Sequence, residues 1–258
     1  MNNRILTQIR KLNWVLSEST VGRLSYSDLS KTLSEIVDAN VLITDRQGIV
    51  IGAGYTNVED ASTIEDEVGN EKLTEFHTNT FLSIDKTIEN LTGEESRPIL
   101  GENYEHTDKY HCIVPIVCGG LRMGTLVIAK YGEKFDEVDI AICEFGATVV
   151  GIEIARNQSL QSEADKRLMD TVDMALSKLS YSEKMCVNKI FDVFEEDEGL
   201  LVVSKVAAEY NLTNSVIVNA LRKLESGGVL VSTSLGMKGT RIKITNPFFR
   251  EKVKNIVI

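Results

Sequence analysis

The 258-residue sequence has few of the features that mark secreted, membrane-spanning or metal-binding proteins. It contains four cysteines, none of them in a CxxC pair, so neither a disulfide framework nor a common zinc motif is expected. No apolar run approaches the roughly 18 residues that a membrane-spanning helix needs. The first residues, MNNRILTQIRKLNW, have apolar side chains at helical spacing rather than the continuous apolar core of a signal peptide. We therefore expect a cytoplasmic protein without a membrane segment.

The sequence also lacks the short motifs of the commonest catalytic sites. There is no GxxxxGK(S/T) loop, so a nucleotide would have to bind without a P-loop. No Ser/His/Asp set or pair of carboxylates stands out from the acidic background, and we predict no catalytic residue. Cys112 and Cys118 lie near His106 and His111, but alternating apolar neighbours favour a buried strand cysteine over a metal ligand. We therefore predict neither an enzyme nor a metal site.

The sequence does contain a clear separation of charge. The whole chain has 28 Lys and Arg against 38 Asp and Glu, a formal net charge of −10. Residues 201–258 nevertheless hold nine basic and three acidic side chains, which leaves 19 basic against 35 acidic ones in residues 1–200. A basic end on an acidic body indicates contact with nucleic acid at that end.

Hydrophobic periodicity predicts helices and two β-hairpins in the first part of the chain. A helix is expected at the N-terminus, and a second one from about Ser27 to Asp38 with Ser27 as its cap. Two β-branched runs flank Asp45–Gly48 and predict a hairpin. The stretch YHCIVPIVCGGLRMGTLVIAK predicts another hairpin that turns at Gly119–Gly120.

The segment between the two hairpins is less regular and strongly acidic. Short helices are expected near 60–69 and 71–81, followed by a long loop to about residue 109, and a loop of that length is more often functional than idle. After the second hairpin, a helical pattern begins at Asp136 and continues past residue 175. Its later part is polar, which predicts a helical linker between domains.

Residues 204–228, SKVAAEYNLTNSVIVNALRKLESGG, predict two short helices. The first is expected from Ser204 to Tyr210, followed by Asn211 in a conformation with positive φ, which Asn tolerates. Thr213 is the expected cap of the second helix. The apolar stripe of that helix has helical spacing and consists of Ile217, Ala220, Leu221 and Leu224.

The opposite face of the second helix carries small and hydrogen-bonding side chains, which suit base edges and phosphates in a DNA major groove. After Gly227–Gly228, two strands joined by LGMKG predict a wing whose basic residues, Lys243 among them, can contact phosphates. The alternative is a helical hairpin and a β-hairpin used for protein contact. The predicted DNA-binding residues of this winged helix-turn-helix are Ser204, Lys205, Thr213, Asn214, Ser215, Asn219, Arg222, Lys223, Lys238 and Arg241.

A recognition helix spans only a few base pairs, so such domains commonly bind palindromic sites as symmetric dimers. We therefore predict a homodimer, or a higher homo-oligomer, on an AT-rich palindromic operator of double-stranded DNA. Dimerisation is expected through the acidic body of the protein.

Residues 110–155 resemble the C-terminal half of a GAF domain, a small-molecule sensor built on an antiparallel sheet. The marks are a strand with Pro115, the glycine hairpin, GTLVIAK, and then Phe135 and Asp139 before a long helix. The whole chain more specifically resembles the CodY family of nutrient-sensing transcriptional regulators. The stretches that carry this resemblance are EFGATVVGIEI at 144–154, LSYSE at 179–183, and NSVIVNALRKLES with SLGMKGT at 214–240.

The resemblance implies DNA binding that is enhanced by branched-chain amino acids and GTP, mainly to repress genes for adaptation to nutrient limitation. It implies a GAF pocket for isoleucine, leucine or valine, with no cofactor besides these effectors. Phe76, Pro98 and Ile99 match residues of that pocket, and Leu73 and Ile64 are its expected walls. The predicted effector site consists of these residues together with Arg97.

The arginine that the family places near Ser62–Ile64 is missing from this sequence, whereas Arg97 stands where the family often has Phe. We hypothesise that Arg97 supplies the clamp for the ligand carboxylate from the other side of the pocket. The alternative is a surface arginine paired with Glu94 or Glu95.

The GTP contacts implied by the resemblance involve the first hairpin and the helix that leaves the GAF domain. The predicted nucleotide contacts are Asp45, Arg46 and Glu153, of which Arg46 and Glu153 match the family. Basic residues of the family are replaced here by Gln47, Ile49 and Gln158, so a weaker or altered response to GTP is expected. In the recognition helix, Asn214 likewise replaces a basic residue common in the family.

Together these observations predict an α+β protein in three parts. An N-terminal GAF-type antiparallel sheet with flanking helices is expected in 1–155, a helical linker in 156–181, and the winged helix-turn-helix in 182–258. Two alternatives remain open. One is the same architecture with a different small molecule as ligand, and the other is a GAF-type enzyme that reduces free methionine sulfoxide with Cys112 and Cys118.

Overall fold

The computed structural model describes residues 2–18, 25–56, 64–65, 69–102, 104, 108–194 and 196–256. The chain consists of two compact units, Met1–Gln158 and Ser159–Ile258. Their boundary falls within one long helix, Glu137–Ser177, and within the segment expected to be the linker. The assignment of 156–181 as a linker stays a prediction.

The first unit is an antiparallel sheet with helices, as the predicted α+β class requires. Its helices are α1 (Asn2–Glu18), α2 (Tyr26–Val37), α3 (Glu75–Ser83), α4 (Arg97–Leu100) and the first part of α5 (Glu137–Ser177). Its strands are β1 (Asn40–Asp45), β2 (Val50–Gly54), β3 (Ile64–Glu65), β4 (Glu71–Lys72), β5 (Ile88–Leu91), β6 (Lys109–Cys118) and β7 (Leu121–Tyr131). The main sheet has the order β2–β1–β7–β6–β5, and β3 pairs with β4 separately.

Alternate residues of the central strands face opposite sides of this sheet, because side chains of a β-strand have a period of two. One side packs against α1, α2 and α5 in the main core, to which the strands contribute Val41, Ile43, Cys112, Val114, Ile116, Leu126 and Ile128. The other side belongs to a smaller cluster that includes Leu42, Ile113 and Val127 together with Leu73 and Phe81. The sheet therefore separates two different apolar environments.

Both predicted hairpins are confirmed, as β1–β2 and β6–β7. Helix α2 is also confirmed, but its cap is Ser25 and not Ser27. The Oγ of Ser25 accepts a hydrogen bond from the backbone N–H of Asp28 at 3.2 Å. Ser25 has the extended backbone that a cap requires, whereas Ser27 already lies within the helix.

The segment before β6 differs most from the sequence prediction. Of the helix expected at 60–69, residues 64–65 form β3 and most of the others lie outside the described residues. The helix expected at 71–81 begins at Glu75, with Thr74 as its cap. The expected loop contains β5 and α4. Because β5 is short and is stabilised by pairing with β6, local sequence pattern does not reveal it.

The second unit contains the predicted winged helix-turn-helix. It consists of the end of α5, then α6 (Tyr181–Val193), β8 (Glu198–Leu201), α7 (Val203–Glu209), α8 (Asn214–Ser226), β9 (Leu230–Ser234), β10 (Thr240–Ile244) and α9 (Phe249–Lys254). The strands form one sheet in the order β8–β10–β9. The sequence predicted β9 and β10 but not β8, which pairs with β10 from the other side.

Gly52 allows β2 to lie directly against the backbone of α2, since a Cβ at this position would lie 2.5 Å from the carbonyl oxygen of Tyr26. We expect Gly52→Ala to lower the free energy of unfolding by about 1–3 kcal/mol, because this overpacking meets backbone rather than a movable side chain. Urea denaturation measures the change. Ala53→Ser, at the next strand position, is the control and is expected to change stability by less than about 0.5 kcal/mol. Equal stabilities of Gly52→Ala and the parent would contradict the close approach.

Candidate ligand cavity and nucleic-acid interface

A cavity in the first unit is built on one face of the main sheet. Antiparallel pairing aligns two rows of residues across β1, β7 and β6, and partners in a row project to the same side. These rows are Asn40, Ala129 and His111, followed by Leu42, Val127 and Ile113. The first row is polar at both ends and the second is apolar throughout. The sheet therefore offers a polar and an apolar region side by side.

Helix α3 and its neighbours cover this face of the sheet. His77 and Phe81, one turn apart on α3, line the cavity with Leu73 before the helix and Leu100 at the end of α4. The lining also includes Val41, Tyr55, Tyr104 and Lys109. The cavity has a volume of about 110 Å³. Since one water needs roughly 10–15 Å³ on this measure, the cavity suits a ligand of about amino-acid size.

His77 connects α3 to α4 at the edge of the cavity. Its Nε2 lies 3.0 Å from the carbonyl oxygen of Leu100, so this nitrogen is protonated and donates. Its Nδ1 lies 2.9 Å from the hydroxyl of Thr74, which donates to it when the ring is neutral. The same Thr74 oxygen accepts from the backbone N–H of His77 and caps the helix. His77 therefore holds Leu100 in the cavity wall.

Arg122 anchors the other end of α3 to the sheet. Its guanidinium donates to the carbonyl oxygen of Phe81 at 2.9 Å and also to that of Ile84, both at the end of α3. Its Nε donates to the carbonyl oxygen of Gly124 in β7 at 2.7 Å. Burial among these neutral acceptors lowers the pKa of Arg122. The helix that forms the cavity wall is thus fixed at both ends.

The structure brings part of the predicted effector set to this cavity. Leu73 is buried and lines it. Phe76 and Pro98 are exposed, and Ile99 packs against the smaller cluster without lining the cavity. Phe76 points outward because its neighbour His77 occupies the inward face of α3. The side chain of Ile64 lies outside the described residues.

Arg97 lies at the start of α4 with its side chain exposed, and it does not line the cavity. Within the described part of the chain, it makes no ion pair with Glu94 or Glu95 either. Neither the clamp nor its alternative is therefore formed in this arrangement, and the role of Arg97 stays a prediction.

The residues predicted to contact GTP lie on two separate elements. Asp45 accepts hydrogen bonds from the backbone N–H groups of Gln47 and Ile49, both at 2.9 Å, and so shapes the β1–β2 turn. Arg46 is exposed in that turn. Glu153 lies in the middle of α5. No hydrogen bond or ion pair among the described residues joins the turn to Glu153.

Glu153 is a buried carboxylate with incomplete hydrogen bonding. Its Oε2 lies 3.6 Å from the guanidinium of Arg156, but its Oε1 is buried without a partner among the described residues. One turn later, Asn157 donates to the hydroxyl of Tyr26 while its own oxygen is also buried without such a partner. Buried acceptors of this kind are costly unless a donor reaches them.

The helix-turn-helix has the local geometry that the sequence predicts. Asn211 has a φ of 54°, and Thr213 caps α8 by accepting from the backbone N–H of Val216. The predicted apolar stripe is fully buried and consists of Ile217, Ala220, Leu221 and Leu224. The exposed residues of the predicted interface are Ser204, Lys205, Thr213, Asn214, Ser215, Asn219, Arg222, Lys238 and Arg241. Their role in DNA binding stays a prediction.

The ammonium group of Lys223, one of the predicted DNA contacts, is bound within the protein. It donates to Oε2 of Glu183 at 2.6 Å and to the carbonyl oxygen of Lys178 at 3.1 Å. Glu183 also accepts from the backbone N–H of Ser180 and completes a capping box at the start of α6. Lys223 therefore links the recognition helix α8 to α6.

The pKa of Glu183 reflects this arrangement. Burial tends to raise it, but hydrogen bonds from Lys223 and Ser180 outweigh burial and hold the pKa below its ordinary value. The stabilisation from the ionised group is therefore complete above the pKa of an unfolded glutamate. It is lost as the pH falls through the lowered pKa of the folded state.

Several residues of these sites were not predicted from the sequence. Lys109 and His111 are buried polar residues at alternate positions of an otherwise apolar strand, and that alternation was a usable signal. His77, Phe81 and Tyr104 gave no such signal, because only the folded chain places them over the sheet.

Three of the cysteines, Cys112, Cys143 and Cys186, are buried and therefore unsuited to thiolate chemistry. Burial raises the pKa of Cys112 to about 12 and that of Cys186 to about 11. Burial also raises the pKa of Cys143 well above its ordinary value. Among the described residues, no cluster of His, Cys, Asp and Glu has the arrangement of a metal site. In the same residues, no helix is both long and apolar enough to span a bilayer.

Comparison with known proteins identifies the family. Residues 4–178 match the CodY GAF-like domain, and residues 197–256 match the CodY helix-turn-helix domain. The global transcriptional regulator CodY of Clostridium kluyveri is 39% identical over 259 residues, which cover 98% of each chain. The chain belongs to the CodY family.

A second relative of this CodY-family chain carries the same description. Global transcriptional regulator CodY of Lysinibacillus sphaericus is 39% identical over 254 residues and 98% of each chain. A solved structure, described as the cofactor binding GAF domain of the nutrient sensor CodY from Clostridium difficile, is 37% identical. It covers 60% of this chain and 99% of its own, with a TM-score of 0.49. Family membership makes this protein a transcription regulator with a DNA-binding helix-turn-helix domain.

Arg222 and Lys223 are adjacent in α8 and provide a matched pair of substitutions. We expect Lys223→Gln to lower the free energy of unfolding by about 1–3 kcal/mol, because Glu183 loses its charged partner. The same variant should change the salt dependence of DNA binding little. Arg222→Gln should leave stability within about 0.5 kcal/mol. It should weaken DNA binding at all sequences and reduce the salt slope by about one. Urea denaturation and anisotropy titrations at several salt concentrations measure both. The same change of salt slope in the two variants would contradict this division of roles.

Proposed function

We propose that this protein is a cytoplasmic repressor that binds an AT-rich palindromic operator as a homodimer, and that branched-chain amino acids raise its operator affinity. GTP is the second proposed effector, and the proposed target genes serve adaptation to nutrient limitation. The observation that carries the proposal is the presence, in one chain, of an amino-acid-sized cavity and a helix-turn-helix with an exposed polar face.

An aliphatic amino acid suits the division of the cavity into an apolar and a polar region. Leu42, Phe81 and Val127 offer contacts to a branched side chain, and its full burial is worth roughly 1.5–3 kcal/mol. Asn40 and His111, in the neighbouring row of the sheet, lie where polar groups of the ligand would be expected. The size and polarity of the site therefore support the proposed class of effector.

Arg97 remains our proposed carboxylate clamp, although it requires a local change. Its side chain is exposed on α4, the same short helix that places Leu100 in the cavity wall. A guanidinium contact with the bound carboxylate would require the Arg97 side chain to turn inward. Ligand binding would then be coupled to the arrangement of α4.

Glu153 supports the proposed recognition of GTP. A buried carboxylate oxygen without a partner suits the adjacent N1–H and N2–H donors of a guanine base, whereas adenine presents an acceptor at N1. The phosphates receive less support, because Gln47, Ile49 and Gln158 provide no positive charge. We therefore propose that the response to GTP is weak.

The proposed mechanism is a shift between conformations of the protein. Ligand binding would stabilise one arrangement of α3 and α4 against the sheet and favour a dimer in which two recognition helices reach successive major grooves. A tenfold gain in operator affinity requires only about 1.4 kcal/mol of differential binding.

A second candidate is a regulator of the same kind that binds a more strongly anionic small molecule. The observation that favours it is Lys109, which is buried and lines the cavity close to His111. The ammonium group of Lys109 lies 5.2 Å from the centroid of the Tyr131 ring, and this local positive charge suits a ligand with additional negative charge.

Ala129→Leu tests the cavity because the larger side chain would occupy the floor between Asn40 and His111. Fluorescence anisotropy of a labelled palindromic duplex, at fixed salt with and without isoleucine and then GTP, measures the effect. We expect isoleucine to tighten binding by the parent protein about tenfold, whereas Ala129→Leu retains basal DNA binding and loses the response. Ala141→Leu, on the exposed face of α5, is the control and should respond like the parent.

Two outcomes would contradict the effector assignment: parent protein that is indifferent to isoleucine, or Ala129→Leu that still responds. A parent response to an acidic analogue alone would favour the second candidate.

Arg97→Ala forms a further arm of the same experiment. Loss of roughly tenfold or more in isoleucine affinity would support the clamp, because a charged hydrogen bond is worth about 1.5–3 kcal/mol, and a change within about twofold would reject it.

Glu153→Gln tests nucleotide recognition. We expect the GTP concentration that gives half of the response to rise at least about tenfold, because an amide presents one acceptor and two donors where the carboxylate presents acceptors only. Titration with GTP and with ATP, followed by anisotropy, measures both affinity and base preference. Glu137→Gln, at the exposed start of α5, controls for the change in charge. A GTP response of Glu153→Gln equal to that of Glu137→Gln would remove Glu153 from the site.

A further inference from the structure

The two outward-facing cations of the wing share one carboxylate on β8. In the sheet, Lys243 of β10 pairs directly with Glu198, and Arg241 pairs with the next residue but one, Leu200. Arg241 Nη2 donates to Oε1 of Glu198, and Lys243 Nζ lies 3.5 Å from its Oε2. Each oxygen of the carboxylate therefore faces a different cation.

This carboxylate is ionised at neutral pH. The hydrogen bond from Arg241, followed by the charges of Arg241 and Lys243, lowers the pKa of Glu198. The three side chains together thus carry one net positive charge rather than two. Arg241 and Lys243 keep 62% and 64% of their side-chain surface exposed, so DNA phosphates have access to both.

Glu198 and a DNA phosphate require the same donors. A guanidinium presents a limited fork of N–H groups, and an ammonium group next to a carboxylate is already partly neutralised. Phosphate contacts contribute to affinity through the positive charge that they bring to the duplex. A negative group held against that charge reduces the contribution of the wing.

We propose that Glu198 limits the DNA affinity of the wing by competing with phosphates for Arg241 and Lys243. This inference rests on the proposed function, in which the wing contacts DNA. Because phosphates carry no sequence information, the restraint acts on all sequences alike and leaves the preference for the operator unchanged. Strand β8, which the sequence did not predict, would thus influence the strength of DNA binding without contacting a base.

Glu198→Gln in the full chain is the decisive variant, compared with Glu163→Gln as a control. Glu163 lies in the same unit on α5 and has only an exposed contact of 3.9 Å with Arg167, so the two variants change net charge equally. Anisotropy titrations use an AT-rich palindromic duplex and a scrambled duplex at several salt concentrations. We expect Glu198→Gln to bind both duplexes about three- to tenfold more tightly near 100 mM salt, with a salt slope steeper by about one to two. Glu163→Gln should stay within about twofold of the parent.

A triple variant tests whether Glu198 acts through the two cations. In a chain that carries Arg241→Gln and Lys243→Gln, the further change Glu198→Gln should no longer raise affinity. Weaker binding by Glu198→Gln alone would overturn the proposal, because it would mean that the carboxylate orients Arg241 towards a phosphate. Equal effects of Glu198→Gln and Glu163→Gln would overturn it as well. A parent protein that does not prefer the palindrome would count against the proposed operator, whereas the scrambled duplex would still test Glu198.

Discussion

The antiparallel register of β1, β7 and β6 is the constraint on which the first unit depends. It fixes which side chains of these strands face the helical core and which face α3. Asn40 reaches the same row as His111 only because both pair with Ala129. A slip of one residue in any of these strands would exchange the two faces. The cavity is therefore a direct consequence of the pairing that also forms the main core.

The contacts of α3 cover this sheet face and form the cavity. His77 holds α4 at one end of the helix, and Arg122 holds the last carbonyl groups at the other. In both contacts the acceptor is a backbone carbonyl oxygen, which every residue type provides. The contacts therefore fix the position of the helix without requiring particular side chains at the accepting residues. Such a wall can be displaced as one body, which suits the proposed coupling of ligand binding to DNA binding.

In the second unit, similar basic residues differ in whether an acidic side chain of the same unit binds them. Arg222 is exposed on α8, whereas its neighbour Lys223 is bound to Glu183. Arg241 is exposed but engaged by Glu198. The net positive charge of this end of the chain therefore overstates the charge that is available to DNA. Glu183 and Glu198 each neutralise part of the positive charge of the basic side chains that they contact.

The sequence by itself determined the features whose causes lie within a few residues of one another. The cap at Thr213, the positive φ of Asn211, the buried stripe of α8 and the two hairpins follow from local hydrogen bonds and periodicity, and the structure confirms each. Resemblance to a family supplied positions for the effector, but not their orientation. Only the tertiary structure decided that Phe76 faces solvent, that β8 joins the wing and that Lys223 binds Glu183. Each of these depends on pairing or packing between segments that are distant in the chain, which no local pattern encodes.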